Sequence, residues 1–336
     1  MTTLTRKLGR SGMDVSGLGI GCWAIGGPFW SGAQPVGWGE VDDEESVRAI
    51  RRALELGVNL FDTSDVYGTG HSERILARGL AGHRDDAVIA TKWGNTFDEE
   101  RRQMTGANPS PEYLRQALDA SLQRLSTDHV DLYQLHIDPA IPEAHELLGT
   151  LEELVTEGKI RWYGWSTDDA ERAEAWATDG AHCTAIQHAL SVLEESPDVL
   201  PVCEKHDLAS INRSPLAMGL LTGKFTASST LGVDDVRGIA PRWMRFFADG
   251  HPVPAWLDRV AAVREVLTSG GRTPAQGALA WIWARSPQTV PIPGCRTTVQ
   301  VEENAGALAY GPLSADEFAE VERLLADLRT ESAPSN

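Results

Sequence analysis

The stretch Val58-Asn-Leu-Phe-Asp-Thr63 is an apolar run that ends in an acidic residue, and a tyrosine follows it four residues later. Two comparable runs come next along the chain. Ala87-Val-Ile-Ala-Thr-Lys92 ends in a lysine, and Val130-Asp-Leu-Tyr-Gln-Leu-His136 ends in a histidine. Short runs rich in Val, Ile, Leu and aromatic residues are typical of buried strands. If the three strands are parallel and adjacent, the polar groups at their ends converge on one pocket.

The polar side chains at these strand ends are Asp62, Tyr67, Lys92 and His136. Together they suit proton transfer to or from a carbonyl or alcohol oxygen. An ammonium at Lys92 would lower the pKa of the Tyr67 phenol, which ordinarily lies at about 10. Asp62 would keep the lysine protonated, and His136 would donate to the substrate oxygen. Any one of the four could be an ordinary polar residue at the rim of a sheet, but the complementary set favours a catalytic site. None supplies hydride, so reduction would need an organic cofactor.

Eight strand-like apolar runs recur along the chain, with helical patterns between most of them. The runs cover residues 18–22, 58–63, 87–92, 130–136, 159–166, 183–187, 208–212 and 289–293. Helix starts are indicated by Asp42 with Glu45, Ser110 with Pro111, and Thr273 with Gln276. Strand–helix alternation repeated eight times predicts an α/β fold of the (β/α)8 TIM barrel type, with residues 1–328 as one domain.

Four segments fall outside the repeat. Residues 4–15 predict an N-terminal β-hairpin that covers one end of the barrel, and Ser314 with Glu317 predicts an additional C-terminal helix. Residues 213–256 are too long for an ordinary connection, so we expect a lid or binding loop there. We expect residues 329–336 to form a disordered tail.

Composition excludes several classes of partner. The net charge of −18 argues against nucleic acid and against an anionic membrane surface, since both need a basic face. No apolar stretch is long enough for a transmembrane helix, and the N-terminus lacks the apolar segment of a signal peptide. The four scattered cysteines predict buried reduced thiols in a cytoplasmic protein. We therefore expect a small-molecule substrate and a monomer or small homo-oligomer.

The segment Gly19-Ile-Gly-Cys-Trp-Ala24 fits the glycine pattern of dinucleotide-binding folds. That pattern works only when a helix begins inside it, so that the phosphate meets the helix N-terminus. Gly26-Gly-Pro28 follows at once and would break such a helix. The glycines are better explained as positions where a first barrel strand approaches its neighbours closely.

The sequence resembles the aldo-keto reductases. The resemblance rests on Phe61-Asp-Thr-Ser-Asp-Val-Tyr67-Gly, Ile89-Ala-Thr-Lys92, Asp131-Leu-Tyr-Gln-Leu-His136, Ser214-Pro-Leu-Ala-Met-Gly-Leu-Leu-Thr-Gly-Lys224 and Ile292-Pro-Gly-Cys-Arg-Thr-Thr-Val-Gln-Val-Glu-Glu-Asn304. The pattern is most similar to the bacterial and plant branches, including relatives of potassium-channel β-subunits. It implies a TIM barrel that binds NADP(H), with NAD(H) as the less favoured cofactor. It also implies Tyr67 as general acid/base, Asp62 and Lys92 as the residues that adjust the pKa of Tyr67, and His136 as the residue that orients the carbonyl.

The resemblance implies a set of cofactor-binding residues along the C-terminal face of the barrel. Its members are Ser166, Thr167 and Gln187 for the nicotinamide; Ser214, Leu216, Gly219 and Lys224 for the pyrophosphate; Arg296 and Gln300 for the 2′-phosphate; and Glu303 and Asn304 for the adenine. Gly294 would let the backbone approach the ligand, next to a helix that begins near Thr298. Thr167 replaces the usual asparagine, and Leu190 is predicted to replace the ring that stacks on the nicotinamide.

Several tryptophans lie near the predicted strand ends. Trp23 and Trp30 follow the first run, Trp93 follows Lys92, and Trp243 lies in the long segment. Tryptophans on such loops often simply pack against the barrel, but they could also form an aromatic wall over the carbonyl. We expect Trp23, Trp30 and Trp93 to contact the substrate, which the sequence does not name beyond carbonyls, alcohols and sugars.

Two alternative functions remain open. A lyase could use Lys92 as a Schiff-base nucleophile, although it would not need Arg296 or the Ser214–Lys224 segment. An NADP(H)-binding regulatory or redox-sensing subunit with slow turnover is favoured by the Leu190 replacement and disfavoured by the intact Asp, Tyr, Lys and His set. A metal centre is not expected, because the histidines lack ligand spacing.

Overall fold

Eight parallel strands form a closed barrel in the computed structural model, which describes residues 4–239, 241 and 243–331. In chain order the barrel strands are Ile20–Gly21, Leu60–Asp62, Val88–Trp93, Val130–Leu135, Ile160–Ser166, Cys183–Ala189, Ala209–Arg213 and Thr289–Pro291. Each strand pairs in parallel with the next. The backbone N–H groups of Gly19 and Gly21 donate to Pro291 O at 2.9 Å and Pro293 O at 3.0 Å, which closes the ring. The predicted (β/α)8 barrel is confirmed.

Helices pack around the barrel and connect its strands. Those of α type are α1 (Asp43–Glu55), α2 (His71–Gly79), α3 (Pro111–Leu125), α4 (Ile141–Thr156), α5 (Ala170–Asp179), α6 (Val199–Lys205), α7 (Val236–Ile239), α8 (Pro254–Leu267), α9 (Pro274–Arg285), α10 (Thr298–Gly306) and α11 (Ala315–Glu331). The predicted caps form, because the Asp42 side chain accepts from Glu45 N and the Ser110 side chain from Tyr113 N. Thr273 and Gln276 make a reciprocal capping box.

The predicted N-terminal hairpin covers the end of the barrel where the strands begin. Its strands are Thr5–Lys7 and Asp14–Ser16. Between them the Gly9 backbone lies so close to the start of the sixth and seventh barrel strands that a Cβ there would be 2.2 Å from Thr184 O. Leu8 and Val15 are buried among the apolar side chains of the barrel interior, so the hairpin plugs the barrel.

Leu8→Ala should lower the free energy of unfolding by about 2–5 kcal/mol, because it opens a cavity in the plug. The matched control is Val233→Ala, because Val233 is 81% exposed whereas Leu8 is completely buried. Urea denaturation of both variants measures the difference. Equal midpoints for the two variants would show that the hairpin does not contribute to barrel stability.

Two features of the loops differ from the sequence prediction. Strands Trp30–Ser31, Gln34–Pro35, Asn95–Asp98 and Gln103–Ala107 form an additional sheet at the C-terminal end of the barrel. The long segment ends earlier than residue 256, because α8 begins at Pro254. Before α8 this segment contains α7 and a small hairpin of Phe247–Ala248 with His251–Pro252.

The C-terminal helix is present, but it is longer than expected. Helix α11 continues to Glu331, so residues 329–331 are helical and the prediction of a disordered tail starting at 329 is wrong there. Residues 332–336 lie outside the described residues. In the described part of the chain, no helix has the length and apolar character that a membrane crossing requires.

Glycine in the first barrel strand has the packing role that the sequence suggested. A Cβ on Gly21 would lie 2.7 Å from Ile292 O, just after the neighbouring eighth strand. The chain then enters a short 3-10 turn, Cys22–Ile25, rather than a phosphate-binding α-helix. The structure thus supports the explanation that these glycines allow close approach between strands, rather than the explanation that they bind a dinucleotide.

Candidate active site

The four residues from the strand ends meet at the C-terminal side of the barrel. Lys92 Nζ lies 2.5 Å from Asp62 Oδ1 and 3.2 Å from Tyr67 Oη, and it also donates to Thr63 O at 2.9 Å. Lys92 is fully buried and Asp62 is nearly so. The His136 ring lies edge-on to the Tyr67 ring, with the centroids 5.7 Å apart. The arrangement joins a carboxylate, an ammonium and a phenol in one continuous hydrogen-bonded chain, with the imidazole beside it.

The second oxygen of Asp62 is held by two amides. Gln187 Nε2 donates to Oδ2 at 2.7 Å and Gln134 Nε2 at 3.1 Å. The sequence interpretation gave Gln187 another role and missed Gln134. Gln134 could have been found from strand periodicity, because it lies two residues before His136 on the same face of the fourth barrel strand. With both oxygens occupied, the carboxylate is fixed in its orientation toward Lys92.

The neighbouring carboxylate and phenol keep Lys92 charged despite its burial. Burial alone would lower the pKa of Lys92, but the carboxylate of Asp62 and the phenol of Tyr67 outweigh it, so the pKa is raised. The expectation for Tyr67 was wrong in sign. Lys92 does act to lower the pKa of Tyr67, but burial of the phenol is the larger effect and raises the pKa above its ordinary value. Tyr67 is therefore a neutral hydroxyl that can donate a proton.

His136 is neutral at physiological pH. Burial, followed by the positive charges of Lys92 and Arg213, holds the pKa of His136 well below its ordinary value. A neutral imidazole carries a single N–H, so it can present one donor to a substrate oxygen. Arg213, at the end of the seventh barrel strand, forms an ion pair with Asp168.

A cleft of about 740 Å³ opens over these residues. Trp23 forms one wall, stacked on the Tyr67 ring at 6.0 Å between centroids, with Trp38 at 5.3 Å and Trp243 at 6.2 Å from the Trp23 ring. Trp243 is 53% exposed at the mouth. An apolar, aromatic wall thus borders the Tyr67 ring.

Two of the three predicted substrate contacts are wrong. Trp93 is completely buried against Tyr133, because the third barrel strand continues through residue 93. Successive side chains of a strand point to opposite faces, so Trp93 points toward the helices when Lys92 points into the barrel. Trp30 is engaged in the additional sheet and does not line the cleft, whereas the preceding Phe29 does.

Most of the predicted cofactor residues line the same cleft. These are Ser166, Gln187, Ser214, Leu216, Gly219, Lys224, Gly294, Arg296, Gln300, Glu303 and Asn304. Thr167 is an exception: it is buried, and its hydroxyl accepts from the backbone N–H of Asp169. Leu190 is also buried in the core and pairs with Glu195, so it does not replace a ring in the cleft. At this end of the barrel Arg213 lines the cleft instead.

Three cations, Lys224, Arg237 and Arg296, lie together in the lining of the cleft. Burial and then the charges of Arg237 and Arg296 lower the pKa of Lys224. Arg237 pairs with Asp235 at 2.6 Å and lies over the Trp38 ring, 4.5 Å from its centroid. Arg296 donates to Trp38 O at 2.7 Å. Cations that lie this close together favour an anionic ligand. Arg237 is a residue that the sequence interpretation missed.

The N-terminus of α10 differs from expectation. The helix does begin at Thr298, but the Glu45 carboxylate accepts from Thr298 N at 2.8 Å and from the Thr298 hydroxyl at 3.1 Å. The Gln300 side chain in turn accepts from Arg296 N at 2.8 Å. A phosphate at this end of the cleft would therefore depend on the cationic side chains more than on the first turn of α10.

The loop that follows the seventh strand supports close approach of a ligand. Ser214, Ala217 and Met218 have left-handed backbone conformations with φ of 54°, 47° and 56°, and Gly219 follows at 92°. Such conformations are strained for residues other than glycine and cluster at ligand sites. Ser214, Met218 and Gly219 line the cleft, so the strained backbone of this loop lies where a ligand would bind.

Comparisons with known proteins identify the family. The aldo/keto reductase family matches residues 17–326. The NADP(+) aldo-keto reductase yakc of Schizosaccharomyces pombe is 30% identical over 316 residues, covering 92% of this chain and 87% of yakc. The structure of the glycerol dehydrogenase AKR11B4 from Gluconobacter oxydans has a TM-score of 0.81 and 30% identity, covering 100% of this chain and 98% of that one.

A further solved structure is that of an aldo/keto reductase from Klebsiella pneumoniae in complex with NADP and acetate. It has a TM-score of 0.69 and 27% identity, and the match covers 96% of this chain and 95% of that one. The family match covers nearly the whole barrel, including all four residues that meet at its C-terminal side. The chain belongs to the aldo/keto reductase family of oxidoreductases.

Proposed function

We propose that the protein is an NADP(H)-dependent oxidoreductase that interconverts aldehydes or ketones, including sugars, with alcohols, and that Tyr67 is its general acid/base. The observation that carries the proposal is the continuous contact from Asp62 through Lys92 to the Tyr67 hydroxyl, at 2.5 and 3.2 Å. The NADP(+) named for yakc and the NADP bound in the Klebsiella structure support the choice of cofactor.

The residues that line the cleft support NADP(H) as the cofactor. Lys224, Arg237 and Arg296 would hold its phosphates, and Glu303 with Asn304 would hold the adenine. Ser166 and Gln187 would hold the nicotinamide beside Tyr67. The bound nicotinamide supplies or accepts the hydride. The strongly acidic chain, with its net charge of −18, makes the local cluster of cations necessary for a ligand of this charge.

The chain's own residues carry out the proton transfer. In carbonyl reduction, the Tyr67 hydroxyl donates its proton to the carbonyl oxygen as that oxygen gains negative charge. Lys92 stabilises the phenolate that remains, and Asp62 keeps Lys92 charged. His136 donates a second hydrogen bond to the same oxygen and so orients the carbonyl. In alcohol oxidation the phenolate takes the proton back.

The screen that tests this proposal measures NADPH consumption across aldehydes, diketones and sugars, and NADP(+) reduction across alcohols. Glycerol belongs in the second panel because a relative is named a glycerol dehydrogenase. The aromatic wall of Trp23, Trp38 and Trp243 suits aryl carbonyls and the apolar faces of sugars. The proposal predicts turnover with at least one member of these classes, and cofactor binding without any turnover would contradict it.

Arg296→Ala should weaken NADPH binding by about 1.5–3 kcal/mol, the usual contribution of a hydrogen bond to a charged group, and should change NADH binding little. Fluorescence titration with each cofactor measures both constants. The control is Lys7→Ala, which removes the same charge from the exposed hairpin at the opposite end of the barrel. Equal losses for NADPH and NADH would refute the assignment of Arg296 to the 2′-phosphate.

The regulatory-subunit alternative loses its main support. It depended on Leu190 as a weakened nicotinamide contact, and Leu190 lies in the core rather than in the cleft. The lyase alternative is also disfavoured, since Lys92 is completely buried and bound to Asp62, which leaves its amine charged and not nucleophilic. Borohydride trapping in the presence of a carbonyl substrate should therefore leave the protein unlabelled.

A further inference from the structure

The His136 imidazole is bound on one side by a residue outside the four catalytic groups. Its Nδ1 lies 3.1 Å from the hydroxyl of Ser64, which is completely buried. The same hydroxyl lies 3.2 Å from Asp65 Oδ1. His136 lines the cleft, and its Nε2 has no hydrogen-bond partner among the described residues. A chain of three polar groups therefore leads from the cleft into the protein.

The direction of the hydrogen bonds in this chain decides what His136 can do. A hydroxyl has one proton, so Ser64 can donate either to the imidazole or to the carboxyl group, but not to both. If Ser64 donates to Nδ1, the neutral imidazole carries its proton on Nε2. If Ser64 donates to Asp65, Nδ1 must carry the proton in order to donate to Ser64, and Nε2 becomes an acceptor that cannot bind a carbonyl oxygen.

We propose that Ser64 and Asp65 are positioning residues that fix the tautomer of His136. Asp65, as a neutral carboxylic acid, donates to the Ser64 hydroxyl, and Ser64 donates to Nδ1, so that Nε2 presents its N–H to the cleft. This inference rests on the proposed role of His136 in orienting the carbonyl. It adds two residues to the machinery and assigns the proton on His136 to one nitrogen.

The surroundings of Asp65 favour its neutral form. The side chain is 1% exposed, and its Oδ2 has no partner within the described part of the chain. Burial and then the nearby Glu73 carboxylate raise the pKa of Asp65 well above its ordinary value, against the opposing charge of Arg124. Arg124 is already paired with Glu73 at 2.6 Å, so it is not free to compensate a second buried carboxylate.

The other groups that face Asp65 do not reverse this balance. They are the phenols of Tyr113 and Tyr133, whose pKa values Asp65 helps to raise, and the backbone N–H of Val66. On the other side of Ser64, the charges of Lys92 and Arg213 face His136 and oppose its protonation. The imidazole is therefore neutral, and the choice between its two tautomers falls to Ser64.

The proposal has a definite pH dependence. The acid form of Asp65 is the one required, so the productive tautomer is present below the pKa of Asp65 and is lost as the pH rises through it. Above that pH, Ser64 donates to the carboxylate and His136 reverses its tautomer. Because the pKa of Asp65 is raised, this change falls above the usual range for an aspartate.

Nitrogen NMR of the full-length protein labelled with 15N-histidine tests the proposal without any substitution at Ser64 or Asp65. The 15N shifts distinguish the Nε2–H from the Nδ1–H tautomer, and comparison with His136→Gln assigns the signals. We expect the Nε2–H form at the low end of the stable pH range and conversion toward Nδ1–H on titration upward. A single Nδ1–H form throughout, or an imidazolium at neutral pH, would overturn the proposal.

Two variants separate a positioning role from a structural one. Asp65→Asn supplies an amide that donates to Ser64 at every pH, so it should keep the Nε2–H signal and abolish its conversion at higher pH. Ser64→Ala should leave a mixture of tautomers and lower kcat about tenfold, the equivalent of one hydrogen bond, with NADPH binding unchanged. Ser64→Thr retains the hydroxyl and should restore the tautomer.

The outcomes also separate this inference from the proposed function. If no carbonyl is turned over, the NMR signals still report the tautomer, and only the proposed function fails. If the carbonyl is turned over but Ser64→Ala leaves the His136 signals unchanged, the inference fails and the proposed function stands.

Discussion

Tyr67→Phe should lower the turnover of the best carbonyl substrate by at least 10²–10⁴-fold, the range that a general acid typically contributes. The substitution removes only the hydroxyl that lies 3.2 Å from Lys92 Nζ. The ring remains, so its stacking against Trp23 should persist and the cleft should keep its shape. NADPH binding should therefore be unchanged. Steady-state kinetics gives the first quantity and fluorescence titration the second.

The matched control is Tyr310→Phe. Tyr310 is 42% exposed and its hydroxyl donates to Gly271 O at 3.0 Å, away from the cleft. This control should retain full turnover. If Tyr67→Phe kept near-normal turnover while Tyr310→Phe behaved as wild type, another group would have to be the proton donor, whatever the fold.

Lys92→Met should both abolish efficient turnover and lower the free energy of unfolding by about 3–5 kcal/mol, because it leaves the buried charge of Asp62 without its partner. Among the described residues, the side-chain donors that remain to Asp62 are the two glutamine amides. Chemical denaturation and steady-state kinetics measure the two effects. In the double variant Lys92→Met with Asp62→Asn, stability should recover because no buried charge remains, but turnover should not.

The control for Lys92→Met is Lys159→Met. Lys159 pairs with Asp119 at the surface, and such exposed pairs usually contribute about 0–1 kcal/mol. If Lys92→Met lost no more stability than Lys159→Met, the removal of Lys92 would not leave a costly unpaired charge on Asp62. Recovery of turnover in the double variant would show that Lys92 has no electrostatic role in catalysis.

The barrel and the meeting of Asp62, Lys92 and His136 could be predicted because each depends on a local pattern. Each residue lies at the end of an apolar run, and parallel strands bring such ends together. Trp93 could not be placed in the same way. Because the strand continues through residue 93, the Trp93 side chain points to the face opposite that of Lys92. The strand end has to be known to within one residue, and composition alone does not fix it.

The hydrogen-bond partners of these residues could not be predicted, because they come from other strands across the barrel. Gln134 and Gln187 come from the fourth and sixth strands, and both reach Asp62 on the second. The sign of the pKa shift on Tyr67 was also beyond the sequence, because it is the difference between burial and the charge of Lys92. The sequence contains both residues, but it does not show how deeply the phenol is buried.

The third tryptophan of the cleft wall, Trp38, was missed for a related reason. It lies in the loop after the first two strands of the additional sheet, and strands of only two residues carry little periodic signal. The T-shaped contact of Trp38 with Trp23 and its position under Arg237 join the aromatic wall to the cationic cluster. Only the folded loops bring these two parts of the cleft together.

The central claim, that Tyr67 rather than His136 delivers the proton, is tested most directly by the pH dependence of a single turnover. Enzyme in excess is mixed with NADPH and a carbonyl substrate, and the rate of NADPH oxidation is followed. The acid form of the donor is required, so the rate falls as the pH rises through the donor's pKa. Burial raises the pKa of Tyr67 above its ordinary value of about 10 and lowers that of His136 well below its own of about 6.5. We predict that the proton-transfer step persists through neutral pH, without a tenfold loss per pH unit at an acidic pKa. A rate that falls tenfold per pH unit from below pH 6.5, as an imidazolium donor requires, would contradict the account.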